Sequence, residues 1–510
     1  MRNKTILLLS LCIVTLVAAT CFKVCSVSVT ETKEHHTLFK PNGTPAGTID
    51  TLMLLNMWTH HVDEQLQTKT GKSDMIFAGI GKPSYFLNED LARSAADYWQ
   101  SLVDANTQLV KSISQKNMSV EDNIETIRTN STAIDYGDLA GELPYRTTMA
   151  QALSAWHNTS IHPDDIIFSV GGAGALRMLF KIINEKKPHG RIIATAPFYP
   201  FYNNETHGNN LHLIDLLKEP GYRLTAKAVQ KSIDTAQELA QKDGHAISAF
   251  LFCDPNNPLG FIVGQEEWKN IAHVLKNTPA DIPIILDEAY AEVVCGDKQH
   301  ESLLTAAPEL KDRIVLFRST TKGFSASGER MAVIVCHNKE LRENIINEGA
   351  LAYLHLPRSL QYAYSQGMLH FTPEKRKQLS NHYTVQTEYV QNRLKQMNIQ
   401  MPDPAYKVQG TFYVLADLHC LFGTQMPAEA KKVLGKTGLI STDEELCYSL
   451  LLDEHIMISP LSYFGADPKL GYVRITCSGG ITELTELLNR LEKKIAMKKL
   501  SLSGIEARNS

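Results

Sequence analysis

Between residues 160 and 340 the chain alternates short, continuous apolar runs rich in β-branched residues with stretches long enough to form helices. The runs are 165–170, 191–196, 246–253, 283–286, 313–317 and 331–336. Strands that are apolar throughout must be covered on both faces. Alternated with helices, they predict an α/β fold built on a mostly parallel sheet. Leu176, Leu179, Phe180 and Ile183 recur at helical spacing, so a helix is expected over 174–184, directly after the Gly171-Gly172 turn. Polar and glycine-rich clusters follow five of the runs, at 171–174, 197–202, 254–260, 287–290 and 319–322. Ligands of open α/β sheets bind outside the carboxyl ends of the strands, so these clusters should converge on one site.

At 510 residues the chain is too long for one small core, and two lobes are expected. The expected division is 1–35 as leader and linker, and 36–90 as an N-terminal arm with part of a small α+β lobe. A large lobe follows over 91–350, then the rest of the small lobe over 351–498 and a loose tail at 499–510. Long helical patterning from Lys375 to Met397, strands over 408–417 and 472–475, and a closing helix over 482–494 belong to the small lobe. A net charge of −4 offers no basic surface for nucleic acid.

Arg2 and Lys4 precede an apolar run over residues 6–22, followed by Lys23, with small residues at Ala18, Ala19 and Thr20. This is the layout of a signal peptide or an uncleaved membrane anchor, and it points to export or membrane attachment; without it the chain would be cytoplasmic. Cys253, Cys295, Cys336, Cys420, Cys447 and Cys477 have no short paired spacing, and most lie in apolar segments. They read as small buried hydrophobes rather than as a disulfide framework or a metal site, and no metal is expected.

The chemistry-bearing residues sit in the clusters. Gly171-Gly172-Ala173-Gly174, between a strand and a helix, offers free backbone N–H groups at a positive helix end, which suits an anion. Asp287 ends a buried apolar run, where a carboxylate is costly unless a cation meets it. Ser319-Thr320-Thr321-Lys322 is followed by Gly328 and then Arg330, eight residues after the lysine. To these add Asp287-Glu288-Ala289-Tyr290, Asn257-Pro258-Leu259-Gly260, the aromatic segment from Ala196 to Tyr202, and Arg474 in Tyr472-Val473-Arg474-Ile475. Gly410-Thr411-Phe412-Tyr413 and Ser459-Pro460-Leu461 are further landmarks.

In this order and spacing the motifs resemble the class I/II aminotransferases, pyridoxal-phosphate (PLP) enzymes of fold type I. The resemblance covers about 75–495 and not 1–70. It implies that Lys322 carries PLP as a Schiff base and moves the substrate proton. It places Asp287 at the pyridine nitrogen, Tyr290 and Asn257 at the phenolic oxygen, and Tyr199 (or Phe198) against the ring face. Gly172, Ala173, Ser319 and Arg330 would hold the phosphate. Ala173 departs from the family's usual hydroxyl residue, so only its backbone can contribute. Arg474 would clamp the substrate α-carboxylate, with Asn257 and Gly81 also at the substrate. Tyr136 would reach the neighbouring subunit's phosphate, which implies a homodimer with a shared active site.

The implied reaction moves an amino group between an L-amino acid and a 2-oxo acid. A PLP lyase, decarboxylase or synthase would use the same lysine, aspartate and asparagine, so the motifs leave that alternative open. A regulatory protein that keeps the fold without catalysis fits less well, because both Lys322 and Asp287 are present.

Overall fold

The computed structural model describes residues 51–116, 119–130, 135–204 and 206–509. The expected leader lies outside them. Among the described residues, no helix is long and apolar enough to cross a membrane.

The described residues form twelve strands: β1 (Ile76–Phe77), β2 (Ile166–Val170), β3 (Arg191–Ala196), β4 (Asn210–Asp215), β5 (Ile247–Cys253), β6 (Ile284–Asp287), β7 (Ile314–Ser319), β8 (Met331–Cys336), β9 (Tyr413–Asp417), β10 (Ile456–Met457), β11 (Ser459–Pro460) and β12 (Tyr472–Thr476). Seven form the large sheet in the order β2-β8-β7-β6-β5-β3-β4. β7, β6, β5, β3 and β4 pair in parallel, whereas β8 runs against both β2 and β7.

Alternate residues of the apolar runs feed two cores, one on each face. Phe250, Phe252, Ile284, Leu286 and Leu316 face one layer of helices. Leu251, Ile285, Val315 and Phe317 face the other, packed with Leu176, Leu179 and Phe180 from the helix Gly171–Lys186. Every residue of β3, β5, β6, β7 and β8 is buried, which is why these strands read as mostly apolar sequence, with the polar residues near strand ends. β4 is the exception and does not stand out in the sequence. It is an edge strand paired only with β3, largely accessible, and carries Asn210, His212 and Asp215.

The second lobe holds the antiparallel sheet β11-β12-β9 and the β1–β10 pair. Its core joins Val414, Ala416 and Ile475 to Leu446, Leu450, Leu487 and Leu491 from flanking helices. The boundary expected at 351 falls inside the helix Lys339–Tyr353. Helix Arg358–Leu369 packs on Glu89–Lys116 and Leu143–His157, and its Ala363, Tyr364 and Met368 belong to the large-lobe core. The long helix Pro373–Gln396 runs past both cores. Along it, Leu379 and Tyr383 join the core that spans the large sheet and Phe412, while Val390 and Leu394 join the core of the small lobe. The closing helix runs over Ile481–Asn509, so helical backbone continues through most of the stretch expected to be a loose tail.

Candidate active site

A cavity of about 800 Å³ opens at the carboxyl edge of the large sheet, against the second lobe. Of the residues singled out in the sequence, Gly81, Gly172, Ala173, Tyr199, Asn257, Asp287, Tyr290, Ser319, Lys322, Arg330 and Arg474 all border it. Tyr136 does not. It is 80% exposed on the surface, with its ring edge-on to His355 at 5.7 Å.

The floor is built by parallel strand ends. β6 delivers Asp287 in register with Cys253 of β5 and Phe317 of β7. Asp287 Oδ2 accepts the hydroxyl of Tyr202 at 2.5 Å, and Oδ1 accepts the Ala289 N–H at 3.1 Å. Burial raises this carboxyl to about 6 against the lowering effect of both donors and of the Lys322 charge. Three residues after β7, Lys322 donates to the Gly81 carbonyl, with its Nζ 5.6 Å from the centre of the Tyr290 ring. Burial lowers the ammonium to about 7, helped by the Arg474 and Arg330 charges and opposed by Asp287. Near neutral pH a substantial fraction of this amine is therefore uncharged and nucleophilic. Gly81 has no room for a side chain: a Cβ there would lie 1.9 Å from the Tyr413 hydroxyl.

Arg474 comes from β12 of the second lobe and is 2% exposed. Its guanidinium lies between the rings of Tyr413 and Phe464, 4.0 and 4.4 Å from their centres. Nη1 donates to Asn257 Oδ1 at 2.9 Å and Nη2 to the Gly79 carbonyl at 2.6 Å. Nε is buried with no partner. A buried cation with a spare donor at the cavity wall suits a carboxylate. The hydroxyls of Tyr290 and Tyr413 meet at 2.5 Å, which links Arg474's ring partner to the Asp287 loop.

The other end is built differently. The helix Gly171–Lys186 begins as β2 ends, and its N-cap Val170 supplies no side-chain acceptor for the first-turn amides. Gly171 has φ +62°, and a Cβ on it would meet Arg330 Nη2 at 2.7 Å, so the arginine lies directly over the turn. Arg330 is itself exposed and donates to the Ser327 carbonyl at 2.9 Å. Ser319 is buried, and its Oγ accepts the Thr321 N–H at 3.3 Å. On the aromatic segment Tyr199 borders the cavity, while Phe198 packs into the core beside Gly465.

Beneath the floor lies a buried polar cluster that the sequence did not flag. Arg318 pairs with Glu292, both fully buried, and stacks on Trp156 with Arg376 on the same indole. His157 Nε2 lies 3.7 Å from Glu288, and His300 Nε2 lies 3.6 Å from Asp254. Burial pushes Glu288 up to about 8 and His300 down to about 3. Tyr202, the last residue of the aromatic segment, was given no role from sequence, although it lies three residues after Tyr199 and its ring meets Tyr199 edge-on.

A sheet edge presenting a buried amine, a carboxylate and an uncapped helix turn to a guanidinium on a second lobe matches a known architecture. The chain belongs to the class I and II aminotransferase family, whose pattern it matches over residues 100–491. It is a transaminase by family, with a PLP-dependent aminotransferase fold of type I. Among its relatives, a probable aspartate/prephenate aminotransferase of Rickettsia felis is 23% identical, covering 85% of this chain and 92% of the relative. An aspartate aminotransferase of Bacillus sp. strain YM-2 is 24% identical, over 65% of this chain and 76% of that protein. The aspartate aminotransferase structure from Rhizobium meliloti superposes with a TM-score of 0.67 at 19% identity, over 88% of this chain and 96% of the other.

Proposed function

We propose that this chain binds PLP in the cavity through Lys322 and transfers amino groups between an L-amino acid and a 2-oxo acid. The observation that carries the reading is a desolvated Lys322 amine that shares one cavity wall with the Asp287 carboxylate and the Arg474 guanidinium and feels the charge of both. The cavity's chemistry fits the cofactor. The uncapped turn at Gly172 and Ala173, with Ser319 and Arg330, suits a phosphate. Asp287, already held by two donors, suits a protonated ring nitrogen. Tyr290 and Asn257 can donate to a phenolic oxygen, and Tyr199 can lie against the ring.

When bound, PLP supplies an aldehyde that takes up the amino group and a ring that accepts the electrons left on the substrate Cα. The protein's own groups do the rest. Arg474 holds the α-carboxylate and so fixes the Cα near Lys322. Lys322 Nζ takes the Cα proton and returns it, a task suited to an amine with a pKa of about 7. Asp287 must stay ionised opposite the ring nitrogen, and a cation there favours that form.

Several relatives are named for aspartate. The described cavity wall carries three cations, Lys322, Arg330 and Arg474, each with a role above. A dicarboxylic substrate would need a further cation for its side chain, and an amino-acid panel decides this. Tyr136, exposed and away from the cavity, is proposed to act on a second copy in a homodimer, which sedimentation tests directly. The run over residues 6–22 is proposed to direct the chain to a membrane system; recovery of the full-length protein wholly in the cytosolic fraction counts against it. The central test is borohydride reduction of PLP-loaded protein followed by peptide mapping. The expected label is on Lys322, and a label on another lysine overturns the assignment.

A further inference from the structure

We propose that Tyr202 is a positioning residue of the reaction: its buried hydroxyl orients the Asp287 carboxylate and holds it in the charged form. The inference rests on the reading that Asp287 faces the PLP ring nitrogen, and it adds a residue outside the motifs that define the site. Tyr202 is 1% exposed, and its hydroxyl donates to Asp287 Oδ2 at 2.5 Å. Its ring has little freedom. Phe198 stacks on it at 6.4 Å and 19°, and Tyr199 and Phe180 meet it at right angles, at 5.8 and 6.5 Å. The helix Phe201–Asn204 therefore does two things at once. It follows Tyr199 at the cavity and aims Tyr202 beneath the cavity floor.

The electrostatics explain why such a donor is needed. Asp287 sits at a strand end among Cys253, Phe317 and Leu286, surroundings that favour a neutral acid. The charged groups around it are few: Lys322 opposes protonation, while Glu288 next in sequence points into the cluster below and is held by Ser302. Tyr202 and Ala289 each occupy one carboxylate oxygen. Ala289 supplies a backbone donor that any residue could provide. Tyr202 is the side chain whose removal leaves Asp287 with one donor fewer and free to rotate. A hydrogen bond from a neutral donor stabilises the carboxylate over the acid, so its loss raises the pH at which Asp287 takes a proton.

The test is Tyr202→Phe in the full chain, which removes one oxygen and keeps the ring packing. The acid limb of kcat/KM should move up by about one pH unit or more. PLP affinity, from absorbance titration of the cofactor-free protein, should fall about tenfold at pH 6 and much less at pH 9. A second variant, 3-fluorotyrosine at position 202, has a more acidic hydroxyl and should move the acid limb down. An acid limb unmoved in both variants, or an equal loss of PLP affinity at both pH values, overturns the inference, since a purely structural tyrosine would produce either. If the wild-type chain takes up no PLP, the cavity reading and this inference fall together. If borohydride traps PLP on Lys322 while the Tyr202→Phe acid limb stays put, this inference alone falls.

Discussion

The two ends of the cavity solve opposite electrostatic problems. At the open end lie the first turn of the Gly171–Lys186 helix and the exposed Arg330 over it, and no carboxylate or amine there has to change its charge. At the closed end, Asp287, Tyr290 and Arg474 are 5%, 4% and 2% exposed, and burial shifts the pKa of each. A ligand of fixed charge can be held by fixed dipoles and a hydrated guanidinium, at little desolvation cost. Lys322, which is to exchange a proton with substrate, needs a pKa near the working pH, and burial together with the Arg474 and Arg330 charges lowers it to about 7.

Substitutions at the two ends should therefore differ in kind. The largest effect is expected for Lys322→Ala, which should abolish turnover and the borohydride-trapped adduct together; retained trapping on a neighbouring lysine would break the comparison. Asp287→Asn comes next. It should cut kcat by orders of magnitude while some PLP stays bound, because an amide cannot hold a proton opposite it by charge. Near-normal turnover would make Asp287 a structural residue.

Arg474→Lys should raise KM by tens to hundreds, equivalent to roughly 2–4 kcal/mol, while PLP absorbance hardly moves. An ammonium cannot reproduce the fork that contacts Asn257 and Gly79 and leaves Nε for a ligand. Unchanged KM for every amino acid would place the carboxylate clamp elsewhere. Arg330→Ala, at the open end, should weaken PLP binding by about tenfold with kcat at saturating PLP largely kept, since the loss is of an exposed charge-assisted contact. A collapse of kcat at saturating PLP would show that the ends are not separable.

The smallest effect concerns stability rather than activity. Glu288 has a folded pKa of about 8 against an ordinary value of 4.5, so the folded state binds its proton more tightly than the unfolded state does. Its contribution is unpenalised below about pH 4.5, grows unfavourable as pH rises to 8, and stays so above. Glu288→Gln should thus match wild-type Tm in acid and exceed it above pH 8, read by thermal melts across the range. The Ser302 hydroxyl can still donate to the amide oxygen.

Sequence was most informative where burial is complete. β3, β5, β6, β7 and β8 are covered on both faces and are apolar at most positions, so their locations and the clusters behind them were legible. Asp287, Lys322 and Gly172 follow from that, since strand ends place them on one edge. β4 was not legible, because an edge strand pays no penalty for Asn210 or His212. The lobe that a helix joins is illegible for a related reason: the helix Arg358–Leu369 is apolar on one stripe, and periodicity does not say which lobe that stripe meets.

What only the tertiary structure decided are the contacts between residues far apart in sequence. Lys322 meets Gly81, Arg474 meets Asn257 and Gly79, and Tyr202 meets Asp287 across separations of 241, 217, 395 and 85 residues. Local pattern records which residues must be buried, because burial is a property of each side chain and its near neighbours. It does not record which buried polar atom finds which partner. That depends on how two lobes and seven strands close on one another, and it sets the charge state of every group in the site.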